Sequence, residues 1–254
     1  MKKSNLELKV IFTIFSLTIF LLSACGVENA RYQKEWYEME TTNIKIEAND
    51  QAKPVLTRNF YFIFDGSGSM NDQPDKQPRG DQHFSTKMSG AKWAVHKFLD
   101  QVPPEVNIGL YVFDIEGQRE LLPLQRGNRE AFRKAIDEMS AGGETPLAEA
   151  IAFGAQRLKE KYQEQLGYGE FRLVVVTDGL ASSLPKAAID AARLGFPIYT
   201  IGLSIKEKHP LRDFSVSYKA AENFEELAQG LEDTLAELPD FDPMEFTEEE
   251  LNIK

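Results

Sequence analysis

Cysteine is almost absent: Cys25 stands alone in 254 residues, so no internal disulfide can form. Histidine is scarce too. His83, His96 and His209 are scattered, with neither an H-x-x-x-H pair nor a Cys/His cluster, which argues against zinc. Basic charge is in deficit, and the formal net charge is −11. Neutralising phosphates is the main energy term of nucleic-acid binding, so nucleic acid is excluded as a partner. The same deficit gives no pull toward anionic lipid headgroups. Long apolar runs are lacking as well. The uncharged stretch from Val10 to Ala24 falls short of the ~20 residues that span a bilayer comfortably. No internal repeat or low-complexity tract interrupts the chain, and its length suits one domain of about 180 residues with flanks.

What is present begins with that uncharged stretch. Lys2, Lys3 and Lys9 precede it, giving the positive n-region and apolar h-region of a secretory signal peptide over residues 1–24. An uncleaved membrane anchor is the competing reading. Against it, Leu22-Ser23-Ala24-Cys25 resembles the lipobox of bacterial lipoproteins, which implies cleavage before Cys25 and lipid on its thiol. The expectation is a lipid-anchored, extracytoplasmic protein at the cell membrane or outer membrane. Gly26, where an Asp would imply inner-membrane retention, favours the outer membrane in a cell that has one. Residues 25–56 read as a lipidated tether with one short ordered piece at Asn43–Glu47. Residues 239–254 read as an acidic C-terminal tail, solvated or disordered, whose carboxylates could be offered to a partner.

Between the flanks, residues 57–238 alternate strand and helix patterns. Phe60–Phe64 is an apolar run of buried-strand type. Residues 71–86 form a loop rich in Asn, Asp, Gln, Pro and Gly. Met88, Ala91, Val95, Phe98, Leu99 and Val102 recur at helical spacing up to Pro103-Pro104. Val106–Phe113 is the next strand, and Arg119–Leu124 reads as an edge strand because of Pro123. Short helices follow at Phe132–Met139 and, opened by Pro146 in its first turn, Leu147–Leu158. Phe171–Thr177, Ile198–Leu203 and Val216–Ala220 are strands; Ala187–Leu194 and Phe224–Leu238 are helices. This order predicts an α/β fold: three layers, with a mostly parallel sheet flanked by helices. Right-handed crossovers then bring the strands' carboxyl ends to one side.

Three segments on that side carry oxygen donors. Asp65-Gly66-Ser67-Gly68-Ser69 follows the first strand, Gly142-Gly143-Glu144-Thr145-Pro146 precedes a helix, and Thr177-Asp178-Gly179 ends the Val-rich strand. Gly66 and Gly68 are expected to curl the first loop through positive φ. Hydroxyls and carboxylates are hard donors suited to Mg²⁺ or Mn²⁺. Singly, each segment has a plainer explanation: an Asx turn, an N-cap at Thr145, and a tight turn at Asp178-Gly179. Jointly they point to a metal site.

Together these residues resemble the von Willebrand factor type A domain and its metal-ion-dependent adhesion site. The likeness spans roughly Arg58 to Leu238. It implies a Rossmann-like fold in which Ser67, Ser69 and Thr145 bind Mg²⁺ or Mn²⁺ through their hydroxyls. Asp65 and Asp178 would act largely through water. A metal with few direct carboxylates stays electrophilic and can accept an Asp or Glu from a protein partner.

The resulting expectation is a binding lipoprotein rather than an enzyme. The alternative is an assembly factor or accessory subunit of a membrane complex. A metal-dependent hydrolase is disfavoured: a haloacid-dehalogenase-type phosphotransferase needs an Asp where Ser67 stands, and no histidine lies in the three loops to serve as a base. Arg79-Gly80-Asp81 is read as a chance match to an integrin-binding tripeptide. Asn71, Asp72 and Asp75 lack EF-hand spacing and are read as solvated loop.

Overall fold

The run Arg58–Asp65 (β1) is apolar at every position from Phe60 to Phe64, and such a run is stable only with both faces covered. The computed structural model describes residues 39–46, 54–74, 83–179, 184–203 and 209–235, and it covers both. The further strands are β2 (Asn107–Asp114), β3 (Gly117–Gln125), β4 (Glu170–Thr177), β5 (Ile198–Leu203) and β6 (Ser217–Ala221). They form a sheet of order β3-β2-β1-β4-β5-β6, in which only β3 runs antiparallel to its neighbour. The helices are α1 (Lys87–Gln101), α2 (Arg129–Glu138), α3 (Leu147–Glu164), α4 (Leu184–Arg193) and α5 (Phe224–Asp233).

The pleat of β1 sorts its side chains between two cores. Phe60, Phe62 and Phe64 pack with residues of α1, α2 and α5, whereas Tyr61 and Ile63 pack with residues of α3 and α4. The three-layer α/β expectation is therefore correct. Each Phe buried in this way contributes about 1.5–3 kcal/mol. The helices begin where their caps dictate. Thr86 and Ser89 form a reciprocal capping box on α1, and the Asn223 side chain accepts from the Glu226 N–H at 2.9 Å on α5.

Edge strand β3 carries Pro123 as expected, since a proline cannot donate to a ladder on both sides. Its pairing with β2 slips near Ile108–Leu110, and Asn128 bridges the irregularity. The Asn128 Nδ2 donates to the carbonyls of Ile108 (2.9 Å) and Pro123 (2.6 Å).

Several boundaries differ from the sequence reading. Pro146 takes the N-cap position of α3 rather than its first turn. A short 3₁₀ turn at Gly68–Asn71 precedes the expected loop, and a second occupies Pro210–Asp213. Helix α4 starts at Leu184, ahead of Ala187. Helix α5 stops at Asp233, although Leu235 still packs on the core. At the amino-terminal side, residues 39–46 lie against α3 and α4. Thr42 N–H donates to the Arg193 carbonyl at 2.6 Å, Gln163 Nε2 donates to the Lys45 carbonyl at 2.9 Å, and Met39 and Ile44 pack on the core.

Residues 1–24, Cys25, Asp75, Arg79-Gly80-Asp81 and residues 239–254 lie outside the described residues. Among the described residues, no helix is long and apolar enough to cross a membrane.

Gly90 of α1 faces the Phe224 ring so closely that a Cβ would overlap three ring atoms. Gly90→Ala should therefore destabilise the fold by about 1–3 kcal/mol, despite the better helix propensity of alanine. Urea unfolding followed by circular dichroism measures this; an unchanged or raised midpoint would contradict the packing described.

Candidate functional site

The chain leaves β1 toward β2 on one side of the sheet, and later leaves β4 toward β5 on the other. The β1–β4 boundary is thus the topological switch point, and the crevice beyond the strands' carboxyl ends is where such sheets bind ligands. The three donor-bearing loops meet there.

Asp65 closes β1 and is fully buried. Its Oδ1 accepts from the Ser67 N–H at 2.8 Å, and its Oδ2 accepts from the Thr177 hydroxyl at 2.6 Å. One carboxylate therefore ties the first loop to the end of β4. Burial pushes the Asp65 carboxyl above the usual carboxylate range. Hydrogen bonds from Ser67 and Thr177 pull it back, and the nearby Asp178 charge adds to the rise.

Glycine serves this loop differently from expectation. Neither Gly66 nor Gly68 is among the residues with positive φ. Gly66 is needed for room: a Cβ would stand 2.8 Å from Asp114 Cβ and 2.9 Å from Met139 Cε. Its N–H donates to the Phe113 carbonyl and its carbonyl accepts from the Gly142 N–H, both at 2.8 Å, so the first and second loops are laced together. The left-handed glycine is Gly143, at φ +80, whose carbonyl accepts from Gly68 N–H at 3.2 Å.

Ser67 Oγ and Ser69 Oγ lie 3.2 Å apart, and Ser69 Oγ donates to Asp178 Oδ1 at 2.7 Å. With its proton committed to Asp178, the Ser69 oxygen keeps lone pairs for another acceptor of electrons. Thr145 does not cap α3, because Pro146 holds that position. It stands beside the third loop instead: a Cβ on Gly179 would lie 3.7 Å from Thr145 Oγ1 and 3.6 Å from Asp65 Oδ2. The five expected residues, Asp65, Ser67, Ser69, Thr145 and Asp178, are thus gathered at one spot.

The sequence reading missed three contributors. Thr177 was adjacent to the motif, but its bond to Asp65 needs the β1–β4 pairing. Lys87, at the start of α1, donates from Nζ to Asp178 Oδ2 at 2.7 Å. His209 supports the third loop from behind. Its Nδ1 accepts from the Leu211 N–H at 3.1 Å, which leaves the proton on Nε2 to donate to the Gly179 carbonyl at 2.9 Å. Asp114 is another carboxylate on this edge, but Arg119 grips both of its oxygens, at 2.6 and 3.2 Å, and it serves the β2–β3 hairpin.

In chemical terms the cluster is a set of hard oxygens with two carboxylates and one ammonium. Among the described residues, no group of three His, Cys, Asp or Glu side chains is placed to hold a metal, so hydroxyls would supply most ligands to any cation here. That donor set fits Mg²⁺ or Mn²⁺.

A mostly parallel sheet with its crevice at the switch point defines the Rossmann-like class. Within it, a sequence model of the von Willebrand factor type A domain matches residues 59–236, and the chain belongs to that family. A UPF0353 protein of Mycobacterium tuberculosis is 31% identical over 129 residues, covering 46% of this chain and 38% of the relative. The one from Mycolicibacterium vanbaalenii is 30% identical over 128 residues, covering 45% and 37%. The chain thus spans well under half the length of these relatives.

Among solved structures, a von Willebrand factor type A protein from Catenulispora acidiphila superposes with TM-score 0.56 at 21% identity, covering 70% of this chain and 42% of that one. An aerotolerance-related membrane protein from Bacteroides fragilis gives 0.52 at 17%, covering 68% and 96%. The manganese-loaded TRAP protein of Plasmodium vivax gives 0.53 at 14%, covering 72% and 74%. At these identities the likeness shows the fold.

Burial lowers the His209 pKa from its ordinary 6.5, against the pull of the Gly179 carbonyl. The ring stacks on Tyr218, over which Arg212 also lies. The unfolded chain therefore takes up the proton first as pH falls. His209 contributes fully above about pH 6.5, and its contribution is lost as pH drops from there toward the folded pKa. Denaturation midpoints between pH 7.5 and about 5 should fall more steeply for the wild type than for His209→Gln. Parallel slopes would show that His209 does not govern this range.

Proposed function

We propose that this chain is a membrane-anchored, extracytoplasmic binding lipoprotein that recognises a protein partner through a divalent cation, Mg²⁺ or Mn²⁺. The observation that carries the reading is the convergence of Ser67, Ser69, Thr145, Asp65 and Asp178 from three loops onto the switch point.

Ser67, Ser69 and Thr145 would hold the ion directly. Asp178 would accept the Ser69 proton, and Asp65 would keep the first and third loops in register. The bound ion would supply a positive centre able to take an Asp or Glu oxygen from the partner. The manganese named for the TRAP protein supports a metal in this fold, and the donor set here supports it independently. Binding rather than catalysis is supported by His209, which reaches the third loop at the Gly179 carbonyl. Both of its ring nitrogens are engaged by backbone groups, so it is not free to deprotonate Ser67 or Ser69.

The anchor reading rests on Lys2, Lys3 and Lys9, the apolar stretch, and Cys25 after Leu22-Ser23-Ala24. Solved neighbours of this fold include a pilus adhesin from Lactobacillus rhamnosus GG as well as the aerotolerance-related membrane protein, so the fold alone does not choose between adhesion and complex assembly.

The test is calorimetric titration of the full-length protein with Mn²⁺ and Mg²⁺, beside Asp65→Ala. Saturating metal should stabilise the wild type, by about 2.7 kcal/mol at a hundredfold excess over Kd, and should not stabilise the variant. Absence of binding heat and of any melting shift at millimolar metal would sink the reading. Membrane proteins that crosslink to the wild type should no longer do so when EDTA is added before the crosslinker, if the partner engages the ion, whether the event is adhesion or assembly.

For the anchor, Cys25→Ser should abolish palmitate labelling and free the protein from membranes, since stable anchoring needs two acyl chains or an equivalent second signal. Equal labelling of wild type and variant would refute the lipid site.

A further inference from the structure

Lysine is the side chain least often withdrawn from water, yet the Lys87 side chain is only 12% exposed and the side chain of its partner Asp178 is 0% exposed. The placement runs against the helix that carries it. Lys87 is the first residue of α1, directly after N-cap Thr86, where the partial positive charge of the helix end opposes a cation. The first turn contains no acidic residue to offset this.

The backbone fixes the position further. The Lys87 N–H donates to the Asp72 carbonyl at 2.9 Å, and Asp72 itself caps the 3₁₀ turn that carries Ser69. The segment bearing the serines thus also delivers the ammonium, 2.7 Å from Asp178 Oδ2. A surface ion pair chosen for stability would gain little from such an arrangement. A cation is needed here because two carboxylates, Asp65 and Asp178, are buried together.

We propose that Lys87 sets the charge of the metal site: as a counterion built into it, Lys87 weakens divalent-cation binding and leaves the loaded site net positive. The inference rests on the metal reading above. Asp65 and Asp178 alone would balance a divalent ion. With Lys87 retained, the loaded cluster keeps one uncancelled positive charge, which an acidic group can meet. Lys87 is therefore a specificity-determining residue. It lowers affinity for the ion and raises affinity for the anion that binds after it.

The test compares wild type, Lys87→Met and Lys87→Arg as full-length proteins, each titrated with Mn²⁺ alone and melted with and without it. Removing a unit charge a few ångströms from the ion should tighten Mn²⁺ binding roughly tenfold or more in Lys87→Met, while Lys87→Arg stays near wild type. Without metal, Lys87→Met should melt lower, because Asp178 loses its cation and keeps only the Ser69 hydroxyl. Its gain on adding Mn²⁺ should exceed that of the wild type. A merely structural lysine would lower both melting points in parallel.

Acetate added to the Mn²⁺-loaded proteins, followed by water-proton relaxation, should displace metal-bound water at lower concentration in wild type than in Lys87→Met. If Lys87→Met does not fold, Lys87→Gln keeps a donor for Asp178 and should shift affinity in the same direction. Wild type that binds Mn²⁺ while the neutral variants bind it equally or more weakly overturns the role of Lys87 alone. If neither wild type nor variant binds Mn²⁺, the metal reading falls with it.

Discussion

The arrangement at the carboxyl edge of the sheet depends on one carboxylate. Asp65 accepts from Ser67 N–H with one oxygen and from the Thr177 hydroxyl with the other. The first bond turns the chain immediately after β1, and the second fastens that turn to the end of β4. Both bonds are shielded from water, and a charged acceptor in a low-dielectric setting makes stronger bonds than a neutral one. If Asp65 were withdrawn, Thr177 would lose its acceptor, Ser67 its turn, and Gly179 its neighbour. Because β1 and β4 are adjacent only through the crossover topology, the site is a product of the fold and not of any local segment.

The opposite edge of the sheet shows the contrast. There Thr57, Asn59, Asn107 and Gln165 are buried and hydrogen-bond one another: Asn59 Nδ2 to Gln165 Oε1 at 2.9 Å, Asn107 Nδ2 to Asn59 Oδ1 at 2.7 Å, and Gln165 Nε2 to Thr57 Oγ1 at 2.6 Å. Amide and hydroxyl groups satisfy each other there, as buried polar groups must. At the carboxyl edge the polar groups are hydroxyls and carboxylates, so acceptors outnumber protons. That imbalance makes the second edge suited to a cation and the first suited only to closure.

Much of this was legible in the sequence because it was periodic or contiguous. The apolar run Phe60–Phe64, the Val-rich run ending at Thr177, and the helical spacing of Met88 to Leu99 each carry their own signal, and each became the expected element. Asp65, Ser67 and Ser69 could be read together because they are neighbours in the chain. Thr145 and Asp178 could be added because each followed a recognisable turn at an element's end. Lys87 could not be read in this way. It looks like any exposed first-turn lysine, and only the docking of α1 brings it to a residue 91 positions away. His209 was invisible for the same reason. Its role depends on a contact with Gly179, 30 positions earlier, which no local pattern announces. The glycines misled in a different way: the sequence says that glycine is required at Gly66 but not whether conformation or space requires it, and here space does.

Charge ties these observations to the proposed mode of action. The chain is acidic overall, at −11, so its long-range field repels the acidic partner that the site is proposed to receive. Recognition must then arise at short range, within a Debye length of about 8 Å, where a fixed positive centre outweighs the diffuse negative field. The local balance is fine. Burial already holds the Asp65 carboxyl above its usual range, so a second uncompensated carboxylate beside it would be costly, and Lys87 is placed where it offsets that cost. A cation entering this cluster meets two carboxylates already partly neutralised by protein donors. It would be held firmly enough to bind but not so fully that its charge is cancelled. Residual positive charge at one spot on an otherwise acidic surface is a selective feature. It favours an anionic group that can reach the crevice directly over one that approaches from a distance.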